Sequence, residues 1–164
     1  MAELTTLESK IGEVIGLAMA AQDATQKVER LLEDDDEGLK AVLSRMREEA
    51  AETEERTTEV AGNLDGKKTA ILEKAREVKG EAVEMMSTYL GDDADGLDGF
   101  EFLTMAEAGE VGHWSVLRKL NERARRDDVQ QLVDWALPIQ ERHFQAVLDG
   151  SLELAGQEDP DEPS

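Results

Sequence analysis

Apolar residues recur along most of this chain at alternating spacings of three and four, the period of an amphipathic helix rather than a strand. The first stripe is Leu7, Ile11, Val14, Ile15, Ala18, Ala21, Thr25, Val28 and Leu32. It predicts a helix that starts after Thr5-Thr6, either of which can cap it, and ends near Glu33. The acidic run Asp34 to Glu37, followed by Gly38, breaks that helix and suits the positive end of the next one. A second helix spans about Leu39 to Ala61, with Leu39, Val42, Leu43, Met46, Ala50, Thr53, Thr57 and Val60 on one side. Gly62 to Gly66 reads as a turn. The third helix, Lys68 to about Leu90, repeats Ile71, Ala75, Val78, Ala82, Met85 and Tyr89.

Gly91 to Gly99 is rich in glycine and aspartate and predicts a loop. Its Asp92, Asp93, Asp95 and Asp98 lack the spacing and closing glutamate of a calcium-binding EF-hand, and read as solvated. A fourth helix runs from about Phe100 to Arg125 and a fifth from about Val129 to Leu154. Between them Arg126-Asp127-Asp128 makes a short turn with a capping aspartate. Pro138, in the middle of the fifth helix, removes a backbone donor and predicts a kink. Residues 1–156 are therefore expected to form one helical domain, and 157–164 a disordered acidic tail.

Composition narrows what such a domain can do. A chain of 164 residues buries a core without staples. It has no cysteine, which excludes disulfides, thiolate metal sites, iron–sulfur clusters and cysteine nucleophiles. The net charge is −21, from 39 acidic and 18 basic residues, the wrong sign for nucleic-acid binding. That charge keeps the protein soluble and draws cations toward any acidic opening. No secretion signal is visible at the N-terminus, and no apolar run approaches a membrane span. A soluble, cytoplasmic protein is expected. There is no glycine-rich phosphate loop, nucleophile elbow or His-Glu-x-x-His zinc motif.

The chemistry, if any, lies in polar residues on the inner stripes, at about 100° of rotation per residue. Both histidines of the chain qualify: they occur in Glu110-Val111-Gly112-His113 and Gln140-Glu141-Arg142-His143. Glu110 sits at the centre of the fourth stripe, with His113 roughly 60° to one side and Glu107 roughly 60° to the other. Gln140 and His143 face inward on the fifth helix, whereas Glu141 points away. Glu49 lies at the edge of the second stripe, with Glu52 further round, and Gln22 falls inside the first. Buried polar groups cost free energy unless paired. They are paired here either with one another, as hydrogen-bonded core residues, or with a metal ion. With no thiolate to offer, carboxylate and imidazole suit iron, manganese or zinc.

The order of parts resembles the ferritin-like superfamily of carboxylate metalloproteins, a four-helix bundle with Glu on two helices and Glu-x-x-His on two others. Glu110 to His113 matches Glu-x-x-His, and Gln140 to His143 matches it with Gln in the Glu position. A closer likeness, over roughly residues 7 to 155, is to bacterial ferritin-like stress proteins of the YciF-like type. It rests on Glu49-Ala50-Ala51-Glu52-Thr53, Glu107-Ala108-Gly109-Glu110, the extra helix between them and the C-terminal helix. The departures are the helix order of the motifs, the missing histidine on the second helix, and Gln22 where the pattern has Glu.

The resemblance implies an all-α, antiparallel four-helix bundle with one additional short helix. It implies iron or manganese held by Glu49, Glu110, His113 and His143, with Gln22, Glu52, Glu107 and Gln140 as neighbouring or alternative ligands. It further implies ferroxidase or peroxide-scavenging chemistry in a stress response. The competing expectation is a non-catalytic helical bundle, a stress or interaction protein without metal. The two part on convergence, since a metal site needs Glu49, Glu110, His113 and His143 within reach of one point. A homo-oligomer that hides the apolar side of the third helix is compatible with either.

Overall fold

The computed structural model describes residues 3–164, so Met1 and Ala2, part of the predicted domain and of the stretch read for a secretion signal, lie outside it. The described chain is all helical: α1 Thr6–Glu29, α2 Glu37–Gly62, α3 Lys68–Tyr89, α4 Gly96–Ala124 and α5 Asp127–Ala155. None of these helices is long and apolar enough to cross a membrane. Thr5 caps α1 through a reciprocal pair, its hydroxyl accepting from the Glu8 N–H at 3.2 Å while the Glu8 carboxylate accepts from the Thr5 N–H at 2.8 Å.

The structure revises three expectations. α4 starts four residues before Phe100, because Asp95 and Asp98 form the same kind of reciprocal cap, at 2.9 and 3.0 Å. Those two aspartates end a loop rather than merely sit in one. α3 has the span its stripe predicts and is 22 residues long, so it is not the short extra helix that the resemblance implies. α5 begins at Asp127, and no aspartate side chain caps it. Its turn is held instead by buried Asn121, which donates to the Arg126 carbonyl at 3.0 Å and accepts from the Arg126 N–H at 3.1 Å. α5 continues through Pro138, which lies on the exposed side with Asp134, the residue whose carbonyl loses its partner. Residues 157–164 are exposed and non-helical.

α1 packs against α2, α3 and α4, while α5 packs against α4 and α2. α3 lies along α1 and touches α2, but it does not pack along α4. The α1–α3 seam depends on glycine: a Cβ at Gly12 would come within 2.9 Å of the Ile71 carbonyl oxygen, and one at Gly16 within 2.9 Å of Val78 Cβ.

The apolar core is divided in two. One cluster gathers Ile11, Ile15, Val60, Ile71, Trp114, Leu117 and Val133. The other gathers Val28, Leu43, Met46, Phe100, Leu103 and Val147. Between them each helix changes character at the same level. α4 passes from Leu103 through Glu107 and Glu110 to Trp114, and α5 from Leu137 through Gln140 and His143 to Val147. On α2, Thr53 and Thr57 separate Met46 from Val60, and α1 carries the small residues Ala18, Ala20 and Ala24. The fold thus holds a polar layer between two greasy ends.

Candidate functional site

Burial in this layer is nearly complete: Glu107 and Gln140 are 1 % exposed, His143 2 % and Glu110 5 %. The buried threonines are satisfied locally, Thr53 donating to the Glu49 carbonyl at 2.8 Å and Thr57 to the Thr53 carbonyl at 2.6 Å. The acids and the imidazole must find partners across helices.

Gln140 supplies one link. With its amide nitrogen turned toward α4, it donates to Glu107 Oε2 at 3.1 Å and to Glu110 Oε2 at 2.6 Å. The opposite orientation would set the amide oxygen against both acids and leave carboxyl O–H groups as its only donors there. His143 supplies the next link, its Nε2 lying 3.2 Å from Glu49 Oε1 and its Nδ1 3.8 Å from Glu107 Oε2. Glu49 closes the chain at the surface, accepting two hydrogen bonds from Arg142 at 2.8 and 2.6 Å, with Arg45 Nε 3.4 Å away. Side chains from α2, α4 and α5 therefore line up as Arg142–Glu49–His143–Glu107–Gln140–Glu110, hydrogen-bonded at each step except the 3.8 Å one between His143 and Glu107.

The acids along this path are not electrostatically equal. The Arg142 guanidinium, more than His143, holds the Glu49 carboxyl down at about 2, so Glu49 is ionised. Burial pushes Glu107 up to about 8. Burial, reinforced by Glu107 beside it, holds Glu110 well above the ordinary carboxyl range. Burial also lowers His143, against the opposing pull of Glu49. The neutral imidazole then carries its hydrogen on Nε2, facing the ionised Glu49, and turns its Nδ1 lone pair toward protonated Glu107. The layer is an acid–amide–imidazole relay whose inner end is uncharged.

The predicted site residues divide. Glu49, Glu107, Glu110, Gln140 and His143 are brought together. His113 is not among them: its side chain is 41 % exposed, with Nδ1 3.2 Å from Glu13 Oε2 and 3.2 Å from Lys10 Nζ. Gln22 donates to Glu54 at 2.6 Å on the flank of α2, and Glu52 pairs with Arg56 in solvent at 2.8 Å. Among the described residues, no group of three or more His, Asp or Glu side chains is placed to hold a metal ion. The donors explain why. Both Glu49 oxygens are taken by Arg142, and the Gln140 nitrogen occupies the place between Glu107 and Glu110 where a cation would sit. As arranged, the residues do not fit the iron or manganese centre that the resemblance implies.

A second feature adjoins the relay. Because α3 stands away from α4, a groove of about 490 Å³ opens over α1 between them. Ala20, Ala21 and Ala24 of α1 lie along it, with Val78, Ala82 and Met86 of α3. Its α4 wall carries Leu103 and Ala106, then Glu107, Glu110 and finally His113. The residues that carry the inner acids therefore border a mostly apolar cleft, while their carboxyls are turned to Gln140 and His143 on α5. Sequence reasoning did not anticipate this groove, or Arg142 as the partner of Glu49. Alanines in place of larger residues on facing stripes were its only visible signal.

No family model, curated protein or solved structure matches this chain.

Proposed function

We propose that this protein is a helical-bundle binding protein that holds a small, largely apolar molecule in the groove between α3 and α4. The observation that carries it is the pair of buried acids, Glu107 and Glu110, on the wall of an apolar cleft of about 490 Å³. That volume lies in the ordinary range for small-molecule sites, and apolar walls with a few convergent polar groups of perturbed pKa are the usual mark of one. In this reading Gln140 and His143 hold the acids in place and Arg142 anchors Glu49 at the outer end. α1, α2, α4 and α5 form an antiparallel four-helix bundle, and α3 is the movable wall.

The neutral dye Nile red is expected to bind the full chain with a blue-shifted, brightened emission. Ala82→Trp, which places an indole in the groove from α3, should abolish that signal while the helical circular dichroism is kept. Equal dye binding by the variant, or none by the native protein, would overturn the proposal.

A second reading, the ferritin-like iron or manganese protein, is favoured by one observation: Glu107 and Glu110 flank a single amide, Gln140, and His143 lies between Glu107 and Glu49. For it to hold, Arg142 would have to release Glu49 and Gln140 would have to rotate away. A bound ion would then supply oxygen- or peroxide-dependent oxidation. Elemental analysis of untagged protein, purified natively and then loaded anaerobically with ferrous or manganous ion, separates the two. The expected result is metal well below one ion per chain and an unmoved melting temperature. Iron or manganese at one or more per chain, lost in His143→Ala, would instead establish the metal site.

A further inference from the structure

We propose that the methionine-lined end of the groove docks a basic amphipathic helix of a partner protein, its apolar stripe lying on Met85, Tyr89, Phe102 and Met105. This goes beyond the small-molecule reading and does not rest on a ligand filling the inner groove. The first ground is exposure. Met85, Tyr89 and Met105 are 53, 59 and 40 % exposed. The Tyr89 ring stands 6.0 Å from that of buried Phe102, centre to centre. Phe102 and Met105 line both the groove and a second hollow of about 160 Å³, where they meet Tyr89, Asp98 and Glu101. The two recesses therefore share walls and form one continuous apolar surface. The other well-exposed large apolar residues, Val116 and Leu152, line neither. A contiguous apolar patch rimmed by polar groups is the usual mark of an interaction surface.

Charge selects the occupant. Glu81 borders the groove, Asp98 and Glu101 border the smaller hollow, and all three are exposed. No lysine or arginine lines the smaller hollow. The two that line the groove are at its far end, Lys10 beside His113 and Lys74 against Gly12. The sequence is built the same way, with neither lysine nor arginine between Lys79 and Arg118. A second copy of the chain would set one acidic rim on another, in a protein of net charge −21. An anionic membrane surface would meet the same repulsion. A helix with lysine or arginine beside its apolar stripe gains attraction at the rim and burial at the centre.

Shape agrees with charge. From Asp98 to Met105 α4 runs about 10 Å, at 1.5 Å per residue. That is the reach of an i, i+4, i+7 stripe, the anchors of a helix laid in a groove. Because α3 does not pack along α4, there is space between them for such anchors. Met85 and Met105 suit the surface, since an unbranched thioether adapts to whichever side chain it meets.

The test is fluorescence anisotropy of a dye-labelled synthetic peptide titrated with the full chain, in salt at about 0.15 M. The peptide is a helix of leucine and lysine, about 14 residues long, with its leucines on one stripe. Two comparison peptides carry the same composition without a stripe, and the same stripe with glutamate for lysine. The striped basic peptide is expected to bind, and each comparison peptide to bind at least about tenfold more weakly. Met105→Glu separates the patch from the charge, because it removes apolar surface while adding a negative charge. It should weaken the striped peptide by about tenfold, as lost burial of one methionine requires. Attraction by overall charge alone would instead tighten it. Glu101→Lys should weaken binding severalfold, whereas Glu55→Lys, on the exposed side of α2, should not. Circular dichroism checks that each variant keeps its helices. Should Met105→Glu fail to fold, Tyr89→Ser carries the same comparison.

No binding by the native protein, or equal binding of the unstriped peptide, would overturn the proposal. So would Met105→Glu binding as tightly as the native chain, or equal losses in Glu101→Lys and Glu55→Lys. Equal binding of the glutamate peptide would overturn the basic partner. A peptide-free dimer in sedimentation, dissolved by Met105→Glu, would give the surface to a second copy. The dye-binding result at Ala82 is read separately, so the small-molecule reading and this one fail independently.

Discussion

Replacing Glu107 and Glu110 together by glutamine is expected to raise the stability of the protein at pH 7 and to remove a fall in stability with rising pH. Each carboxyl is protonated in the folded protein and ionised in the unfolded chain over the pH range between its two pKa values. For Glu107 that range runs from the ordinary value of 4.5 to about 8. Within it the folded state holds more protons, so stability falls as pH rises, by about 1.4 kcal/mol per unit for one group. Below the lower limit there is no penalty, and above the upper one the loss from Glu107 is complete. The whole loss for Glu107 is on the order of a few kcal/mol, a large fraction of a domain's usual stability. Glutamine keeps the shape and the acceptor for the Gln140 amide, and it has nothing to ionise. Its own NH₂ in place of Glu107 faces the His143 Nδ1 lone pair.

Two other groups set the acid side of the profile, both with the sign opposite to that of the Glu107–Glu110 pair. His143 is held neutral by burial, so below its ordinary pKa of 6.5 the unfolded chain takes up a proton first and stability falls as pH falls. Glu49 contributes stability above its ordinary value of 4.5, and that contribution is lost as pH falls toward about 2. Guanidinium midpoints measured across pH on native and double-variant protein would show this directly. The native curve should decline from mildly acidic to alkaline pH, and the variant curve should not. Parallel curves would mean that the pair is hydrated and ionised at neutral pH, and the relay as described would be wrong.

The pattern of the sequence carried the helices and the polar layer, because both depend on which residues share a stripe. Glu107, Glu110, Gln140 and His143 all lie on inner faces, and the structure sets them at one level. His113 shows where such reasoning stops. It and Glu107 stand at about equal angles on either side of Glu110, so rotation alone gives them equal claims to burial. What separates them is the neighbour on each flank. α5 covers the Glu107 side, whereas α3 stands off from the His113 side and leaves it on the groove. Helix spacing between non-adjacent elements is not written in a single stripe. Arg142 was missed for a related reason: its backbone position says little about where a long guanidinium side chain folds back to find Glu49. The early start of α4 was legible in principle, since Asp95 and Asp98 have capping-box spacing. The surrounding glycines made the segment read as loop. Gly99 in fact serves close packing, since a Cβ there would stand 2.8 Å from Val28 Cγ1.

The standoff of α3 leads to the other large effect, at Gly16. A side chain there is expected to destabilise the protein and to disturb the groove in the same step. A Cβ at Gly16 would fall inside contact distance of the Ala75 carbonyl oxygen, and 2.9 Å from Val78 Cβ. The first obstacle is backbone, which cannot turn aside as the end of a long side chain can, so α3 must move away from α1. Overpacking of this kind costs about 1–3 kcal/mol, more for a bulky residue, against a helix-propensity gain of about 1 kcal/mol on replacing glycine. Gly16→Leu should therefore lower the denaturation midpoint strongly, and Gly16→Ala less. Gly112 on α4 provides the contrast, since a Cβ there meets nothing within 4 Å. Gly112→Ala should be stabilising by roughly 0.5–1 kcal/mol. Val78 and Ala82 ride on α3, so displacement at Gly16 moves the wall that a ligand touches. Nile red affinity should shift in Gly16→Ala, measured where the variant is still folded, and stay unchanged in Gly112→Ala. A loss of stability at Gly16 with dye binding untouched would mean that α3 is not the wall of the ligand site, and the dye would have to be sought elsewhere on the bundle.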